Sequence, residues 1–183
     1  MSEADKYITD KLGKVHVYTG AAKGKTTACV GLAVRAAGHG LKTYIGQFLK
    51  GRPTGEVTTI REHLGDYIEI EQFGREGFVR GGGSKDEDRR LAQKGLERVR
   101  EILRAGKHHL VILDEINVAV FIGLVDVGQV EELVKGKPEK VELVLSGREA
   151  SPKIMELADL VTEMKKVKHY FDNGLPARKG IEE

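Results

Sequence analysis

The feature that most constrains this chain is a short glycine-containing segment between a strand-like run and a helix-forming stretch. Residues 15–18 predict a strand, residues 19–27 a loop that ends in Gly-Lys-Thr-Thr, and residues 28–37 a helix. Backbone N–H groups of such a loop surround a phosphate, and the helix N-terminus adds partial positive charge. The order therefore predicts a phosphate-binding P-loop and a nucleoside triphosphate ligand, with Lys25 on the outer phosphates and the Thr26 hydroxyl on Mg²⁺.

The spacing of this loop differs from the usual pattern, in which four residues separate the first Gly from Gly-Lys-Ser/Thr. Only Ala21, Ala22 and Lys23 separate Gly20 from Gly24. The two alanines carry a Cβ and disfavour backbone shapes that Gly adopts freely. A plain strand-to-helix turn without a ligand is the alternative. The altered spacing predicts that the phosphates are held differently from those of an ordinary ATPase.

Composition indicates one globular domain over residues 1–183, with a polar N-terminal arm at residues 1–13 that we expect to be mobile or to dock on the domain. The chain is 40% apolar and 32% charged, and its net charge of +2 does not require nucleic acid as a partner. The single cysteine, Cys29, excludes a disulfide within the chain and is expected to be a small core residue. We find no signal peptide and no apolar run of membrane-spanning length, so we expect a cytoplasmic protein without membrane insertion.

Predicted strands and helices alternate along the whole chain. Strands are expected at residues 42–48, 68–73, 109–113, 141–145 and 160–164, and helices at 55–64, 86–105, 126–134 and from 151, with a polar tail at 165–183. Asp126 and Gln129 have capping-box spacing, and Ser151-Pro152 is a typical helix start. The central strands are continuous apolar runs, as in sheets covered on both faces. These observations predict a three-layer α/β fold of the P-loop NTPase (RecA-like) type with a mainly parallel central sheet and a site at its C-terminal edge.

Charged residues follow three of the predicted strands. Asp114 and Glu115 end the apolar run 110–113, as in a Walker B strand, where one acid holds Mg²⁺; a surface helix cap is the alternative. Lys50 and Arg148 follow the second and fifth strands, where they would neutralise phosphate unless they are plain solvated charges. Arg35, in the helix after the loop, is expected either to touch the nucleoside or to lie free on the surface. The six histidines show no metal-ligand spacing.

Taken together, these motifs resemble the P-loop type of the corrinoid adenosyltransferase family, also called cob(I)alamin adenosyltransferases. The resemblance runs from Gly13 onward. It is carried by the shortened loop and by the segments at residues 35–40, 47–51 and 113–115. The most specific match is the end of the chain, Ala-Asp-Leu-Val-Thr-Glu-Met at 158–164, Val-Lys-His at 167–169, Phe-Asp at 171–172 and Lys-Gly-Ile-Glu at 179–182.

This resemblance implies that cobalt(I) of a reduced corrinoid attacks C5′ of ATP and that inorganic triphosphate leaves. It also implies an unusual ATP orientation with the γ-phosphate deep in the loop, which suits the altered spacing. By carry-over, Lys25, Thr26, Glu115 and Phe78 are catalytic, and Thr26, Asp114 and Glu115 are candidate Mg²⁺ ligands. The nucleotide would be bound by Gly20, Ala21, Ala22, Lys23, Gly24, Lys25, Thr26, Thr27, Arg35, Lys50 and Arg148.

On the corrinoid side, the family uses aromatic side chains to displace the lower axial ligand of cobalt(II) before its reduction. Phe78 matches this segment, whereas Arg80 stands where Trp is common. The resemblance also implies a homodimer and a flavoprotein reductant. Two other functions stay open on the sequence alone: a P-loop ATP hydrolase with Glu115 as the base for water, and a non-catalytic carrier of ATP and corrinoid.

Overall fold

The computed structural model describes residues 9–76 and 85–182, in which six strands form one sheet. The strands are β1 (Val15–Thr19), β2 (Thr43–Phe48), β3 (Ile68–Phe73), β4 (Leu110–Asp114), β5 (Glu142–Ser146) and β6 (Leu160–Glu163). Their order is β3-β2-β4-β5-β1-β6, and every pairing between neighbours is parallel. The predicted parallel α/β sheet is confirmed, and all predicted strands lie within a few residues of their expected positions.

Helices cover both faces of the sheet. They are α1 (Lys25–Ala37), α2 (Gly55–His63), α3 (Lys85–Ala105), α4 (Ile116–Phe121), α5 (Val127–Gly136) and α6 (Pro152–Glu156), followed by a 3₁₀ helix at Tyr170–Asn173. Helices α1 and α2 share one apolar core with the sheet, and α3 to α6 share the other. None of the helices in residues 9–76 and 85–182 is long and apolar enough to cross a membrane.

The two cores draw on alternate residues of the central strands. Ile112 of β4 packs with the α1 and α2 side, whereas its neighbours Val111 and Leu113 pack with the other side. Val144 of β5 is separated from Leu143 and Leu145 in the same way. Because side chains of a strand point alternately to opposite faces, a strand between two helical layers must be apolar throughout. This confirms the three-layer architecture.

Two helix starts follow local sequence. The predicted capping box is present, since Asp126 accepts from Gly128 N at 2.8 Å and its own N–H donates to Gln129 Oε1 at 3.1 Å. Ser151 does precede Pro152 at the start of α6, but its side chain makes no capping hydrogen bond. Helix α4 was not predicted, because its six residues directly follow Glu115 and are too few to show helical periodicity.

The described part of the predicted N-terminal arm is docked on the domain. Asp10 pairs with Lys140, and the Gly13 N–H donates to Glu142 Oε2 at 2.8 Å. The arm therefore meets the amino end of β5 over these residues, while residues 1–8 lie outside the described part. At the other end, the predicted polar tail is mostly exposed over residues 165–182, where it includes a 3₁₀ helix and folds back on itself.

Candidate functional site at the carboxyl edge of the sheet

The carboxyl ends of β1, β2, β4 and β5 lie side by side and supply the candidate site. The first residues after β2 and β4, Leu49 and Glu115, have φ of 61° and 63°, and Glu149 after β5 has φ of 57°. Among the described residues these are the only non-glycine residues with positive φ. Left-handed backbone at non-glycine residues costs free energy and clusters where function requires it. The chain is thus strained at one edge of the sheet, where the site was predicted.

Two glycines shape the P-loop, which runs from Gly20 to Gly24. Gly20 has φ of 96°, and Gly24, the N-cap of α1, has φ of 119°. Ala21 and Ala22 do not adopt positive φ. The sharp bends therefore occur at the two positions without a Cβ. This explains how the shortened loop tolerates two alanines between its glycines.

The loop is packed against the end of β6. A Cβ on Gly20 would lie 2.5 Å from the carbonyl oxygen of Met164, so only glycine fits there. The Ala22 N–H donates to that same Met164 oxygen at 2.9 Å, and the Met164 N–H donates to Thr19 O at 2.8 Å. One backbone donor of the loop is thus directed at β6 rather than into the loop.

Lys23 of the loop and Lys25, the first residue of α1, point in different directions. Lys25 is 6% exposed, and its ammonium donates to the carbonyls of Gly20 and Ala22 at 2.8 and 2.6 Å. Burial lowers the pKa of Lys25, although the Glu115 carboxylate opposes this shift. The Lys23 ammonium instead donates to the carbonyl of Ile181 at 3.1 Å. Lys25 is therefore the lysine that the fold directs across the loop.

Asp114 is the centre of the site and is only 1% exposed. Its Oδ1 accepts from the Ser146 hydroxyl at 2.6 Å, and its Oδ2 accepts from Lys50 Nζ at 2.7 Å and from Gln47 Nε2 at 3.2 Å. The Thr26 hydroxyl lies 3.1 Å from both carboxylate oxygens. These four side chains come from α1, from β2 and its following loop, and from β5, so one buried carboxylate ties three parts of the sheet edge together.

Charged side chains at this edge shift one another's pKa values. Burial would lower the pKa of Lys50, but its ion pair with Asp114 and the charge of Glu115 outweigh burial and raise it. Burial raises the pKa of Glu115, and the neighbouring Asp114 charge adds to the shift. Lys50, Lys25 and Arg148 act in the opposite direction on Glu115. The predicted cations and acids therefore share one electrostatic environment, as in functional sites with perturbed ionisable groups.

The oxygen atoms at this edge fit a hard divalent cation. Thr26 Oγ1, the Asp114 carboxylate and the Glu115 carboxylate are the ligand types that Mg²⁺ prefers, and Mg²⁺ is usually held by one or two carboxylates together with phosphate oxygens. Lys50 Nζ already lies 2.9 Å from Thr26 Oγ1 and 2.7 Å from Asp114 Oδ2, so these two oxygen atoms attract a cation. The part of the chain that the structure describes has no group of three or more His, Cys, Asp or Glu suited to a metal.

The remaining predicted residues differ in their placement. Arg148 is exposed and lies two residues after the carboxyl end of β5, which places it at this edge, and its charge affects the pKa of both Lys25 and Glu115. Arg35 lies in the last turn of α1, ten positions after Lys25 and thus about 15 Å along the helix from it. Thr27 is exposed in the first turn of α1. Phe78 lies outside the described residues.

Sequence reasoning missed two buried polar partners of Asp114. Gln47 and Ser146 are fully buried, and Gln47 also accepts from Gln72 Nε2 at 2.9 Å. The Ser146 hydroxyl accepts from the Glu115 N–H at 3.2 Å and so links the two acids. Each is a polar residue at the carboxyl end of an otherwise apolar strand. A polar residue at such a position must find a hydrogen-bond partner when it is buried, and this could have identified Gln47 and Ser146 as candidate site residues.

Comparison with known proteins agrees with this geometry. Residues 11–182 match the family described as ATP:corrinoid adenosyltransferase BtuR/CobO/CobP. The corrinoid adenosyltransferase of Sinorhizobium sp is 39% identical over 176 residues, which span 95% of this chain and 82% of that protein. The corrinoid adenosyltransferases of Pseudomonas aeruginosa and Escherichia coli K12 are 34% and 33% identical over 174 residues, 94% of this chain and 85% and 87% of those proteins.

Proposed function

The chain belongs to the ATP:corrinoid adenosyltransferase family, and from this premise we infer how its site works. The enzyme transfers the 5′-deoxyadenosyl group of ATP to the cobalt of a reduced corrinoid and releases inorganic triphosphate. Membership of the family does not favour hydrolysis or non-catalytic binding. The roles of individual residues are our proposal.

The observation that supports these roles best is the grouping of cations around the paired acids. Lys25, Lys50 and Arg148 all act on the pKa of Glu115, and Lys50 is bound to Asp114. Such a group suits a ligand with several negative charges. Triphosphate is that ligand when it is bound as part of ATP, and its charge increases when it leaves. Groups that meet charge as it develops contribute most to rate enhancement.

The reaction is a displacement at carbon. Cobalt(I) of the corrinoid donates an electron pair to C5′ of ATP, a cobalt–carbon bond forms, and the bond from C5′ to the triphosphate oxygen breaks with its electron pair on that oxygen. No proton transfer is needed at C5′. We therefore propose that Lys25, Lys50 and Arg148 stabilise the departing triphosphate, and that the site requires no general base.

We propose that Mg²⁺ is held by Thr26 and Glu115, with Asp114 as a second candidate carboxylate, and that it would neutralise triphosphate charge when bound. The Lys50 ammonium, which bridges Thr26 and Asp114, would then turn toward the phosphates. The backbone of the loop, including Gly24 and Thr27, would bind phosphate. Gly20, Ala21 and Ala22 would shape the loop, and Arg35 remains a candidate contact for the nucleoside.

For the corrinoid, we propose that Phe78 occupies the lower face and excludes the axial base. We also propose that the protein works as a homodimer in the cytoplasm and receives electrons from a flavoprotein. Light scattering coupled to size-exclusion chromatography tests the homodimer, and reconstitution with a reduced flavoprotein tests the electron donor.

Product analysis is the experiment that tests the proposed function. With ATP and chemically reduced cobalamin, we expect adenosylcobalamin and inorganic triphosphate in equal amounts. ADP and phosphate would instead indicate a hydrolase with Glu115 as its base. Stoichiometric binding of ATP and corrinoid without product would indicate a carrier.

A further inference from the structure

The chain after β6 turns back toward the P-loop. We call residues 165–182 the C-terminal return. It closes on itself, because the Tyr170 hydroxyl and Arg178 both bind Glu182, with Arg178 Nη2 at 3.1 Å from Glu182 Oε1. The Arg178 guanidinium also lies 4.9 Å from the centre of the Tyr170 ring, within cation–π distance. Glu182 thereby joins the 3₁₀ helix to the last residues of the return.

The closed return touches the P-loop through Lys23. The Lys23 ammonium donates to the Ile181 carbonyl at 3.1 Å, one residue before Glu182. Met164, the residue before the return, is also anchored to the loop, since Ala22 N–H donates to Met164 O and the backbone at Gly20 packs directly on Met164. One side of the loop is thus in contact with residues before and within the return.

We propose that the C-terminal return positions the P-loop for triphosphate, with Lys23 and Glu182 as positioning residues. The loop bends at Gly20 and Gly24, two residues with broad backbone freedom, so it needs external contacts to hold one shape. A loop that is ordered before binding loses less conformational entropy when ATP arrives. This inference rests on the proposed function, and it assigns Lys23 to the return rather than to a phosphate.

The consequence is a selective effect on ATP binding. Breaking the contact leaves Lys25, Lys50 and Asp114 in place, so the chemical step should change little once ATP is bound. The Lys23 contact is a solvent-exposed hydrogen bond from a charged group, which is worth only a modest factor. We expect the KM for ATP and its Kd to rise about 3- to 10-fold, and kcat to stay within about twofold of the parent value.

The test compares Lys23→Met, Glu182→Gln and the double variant. Lys135→Met and Glu97→Gln are matched controls, because both residues form exposed helical ion pairs on α5 and α3. ATP Kd is measured by calorimetry, kinetics with reduced cobalamin gives KM and kcat, and hydrogen exchange is followed at the Ala22 N–H. We expect faster exchange at the Ala22 N–H in both single variants, and no change in exchange or in ATP Kd in the two controls. Lys23→Arg should recover the affinity for ATP, because its guanidinium can also bind a carbonyl.

The double variant decides between the return and a direct phosphate contact. If Lys23 acts through the return, the Kd of the double variant for ATP should be no higher than the higher Kd of the two single variants. If the fold-increases in Kd of the two single variants multiply in the double variant, Lys23 and Glu182 act independently and the proposal is overturned. An unchanged Kd in either single variant would overturn it as well. Should Glu182→Gln lower the melting temperature strongly, hydrogen exchange at the Ala22 N–H of Lys23→Met without ATP still separates the two roles, because a direct phosphate contact would leave that exchange unchanged. Failure of the proposed function would appear separately, as absence of triphosphate from the unmodified enzyme.

Discussion

Replacement of Asp114 by Asn tests whether this buried carboxylate holds the sheet edge together. The substitution keeps the shape of the side chain and removes its charge. Its four partners, Thr26, Gln47, Lys50 and Ser146, all donate to the carboxylate. An asparagine has one accepting oxygen, and its NH₂ group would face donors. We expect Asp114→Asn to be strongly destabilising without any nucleotide present.

The expected loss of stability in Asp114→Asn follows from the four side chains that bind the carboxylate. The Thr26 and Ser146 hydroxyls can rotate and accept from the new NH₂ group, so their loss is partial. Gln47 cannot turn its amide without losing the bond from Gln72. Lys50 loses its ion pair, but its side chain is 26% exposed and water recovers part of that loss. Hydrogen bonds to charged groups contribute about 1.5–3 kcal/mol each. We therefore expect a net loss of about 3 kcal/mol in the free energy of unfolding.

Thermal unfolding followed by circular dichroism provides the measurement, at fixed protein concentration and without ligand. For a domain of this size, a loss of 3 kcal/mol corresponds to a melting temperature lower by about 6–12 °C. Asp172→Asn is the matched control. Its carboxylate is 52% exposed and pairs with Lys166 at 2.9 Å, so the change should stay below about 1 kcal/mol.

A double-mutant cycle makes the test specific. Lys50→Met alone leaves the Asp114 charge buried and without its cation, which is costly. Adding Asp114→Asn removes that charge, so the double variant should lose about 1–2 kcal/mol less than the sum of the single losses. A melting temperature for Asp114→Asn equal to that of the parent, or full additivity in the cycle, would refute the reasoning.

Further predictions concern four other residues. Lys25→Ala should abolish adenosyl transfer while far-UV circular dichroism stays unchanged, and a near-parental kcat/KM would exclude its assigned role. Glu115→Gln should raise the Mg²⁺ concentration needed for half-maximal rate, because an amide is a poorer ligand for a hard cation; normal Mg²⁺ dependence with lost turnover would point to a base instead. Phe78→Ala should slow the reaction more when cobalt(II) is reduced on the enzyme than when cobalt(I) is made chemically; equal slowing in both assays would contradict the wedge. Burial raises the pKa of the Cys29 thiol, so the native protein should not react with a thiol reagent at pH 8, whereas the unfolded chain should.

Local sequence identified most of the elements. An apolar run predicted β4, because burial between two helical layers requires that composition, whereas alternation of apolar and polar residues predicted β3. The capping box of Asp126 and Gln129 was also predictable from the sequence, because its contacts span only three residues. Helix α4 was missed because a six-residue apolar run carries no periodicity.

The site was predictable in its chemical types and not in its connections. Lys25, Thr26, Lys50, Asp114 and Glu115 were expected at one edge, because parallel strands bring their carboxyl ends together. The contacts of Asp114 with Gln47 and Ser146 depend on three-dimensional packing. Those contacts cannot be read from residue type or spacing.

The sequence by itself determined the P-loop, the acids after β4 and the alternation of strands and helices, since each of these is encoded within a few consecutive residues. Only the tertiary structure decided which partners meet. The Thr26 hydroxyl binds Asp114 across 88 positions, and Lys23 binds Ile181 across 158. Such contacts arise from the strand order, which places β1 between β5 and β6. Strand order is settled by packing of the whole sheet, because neighbouring strands are separated in the chain by at least one helix and no short segment specifies its partner.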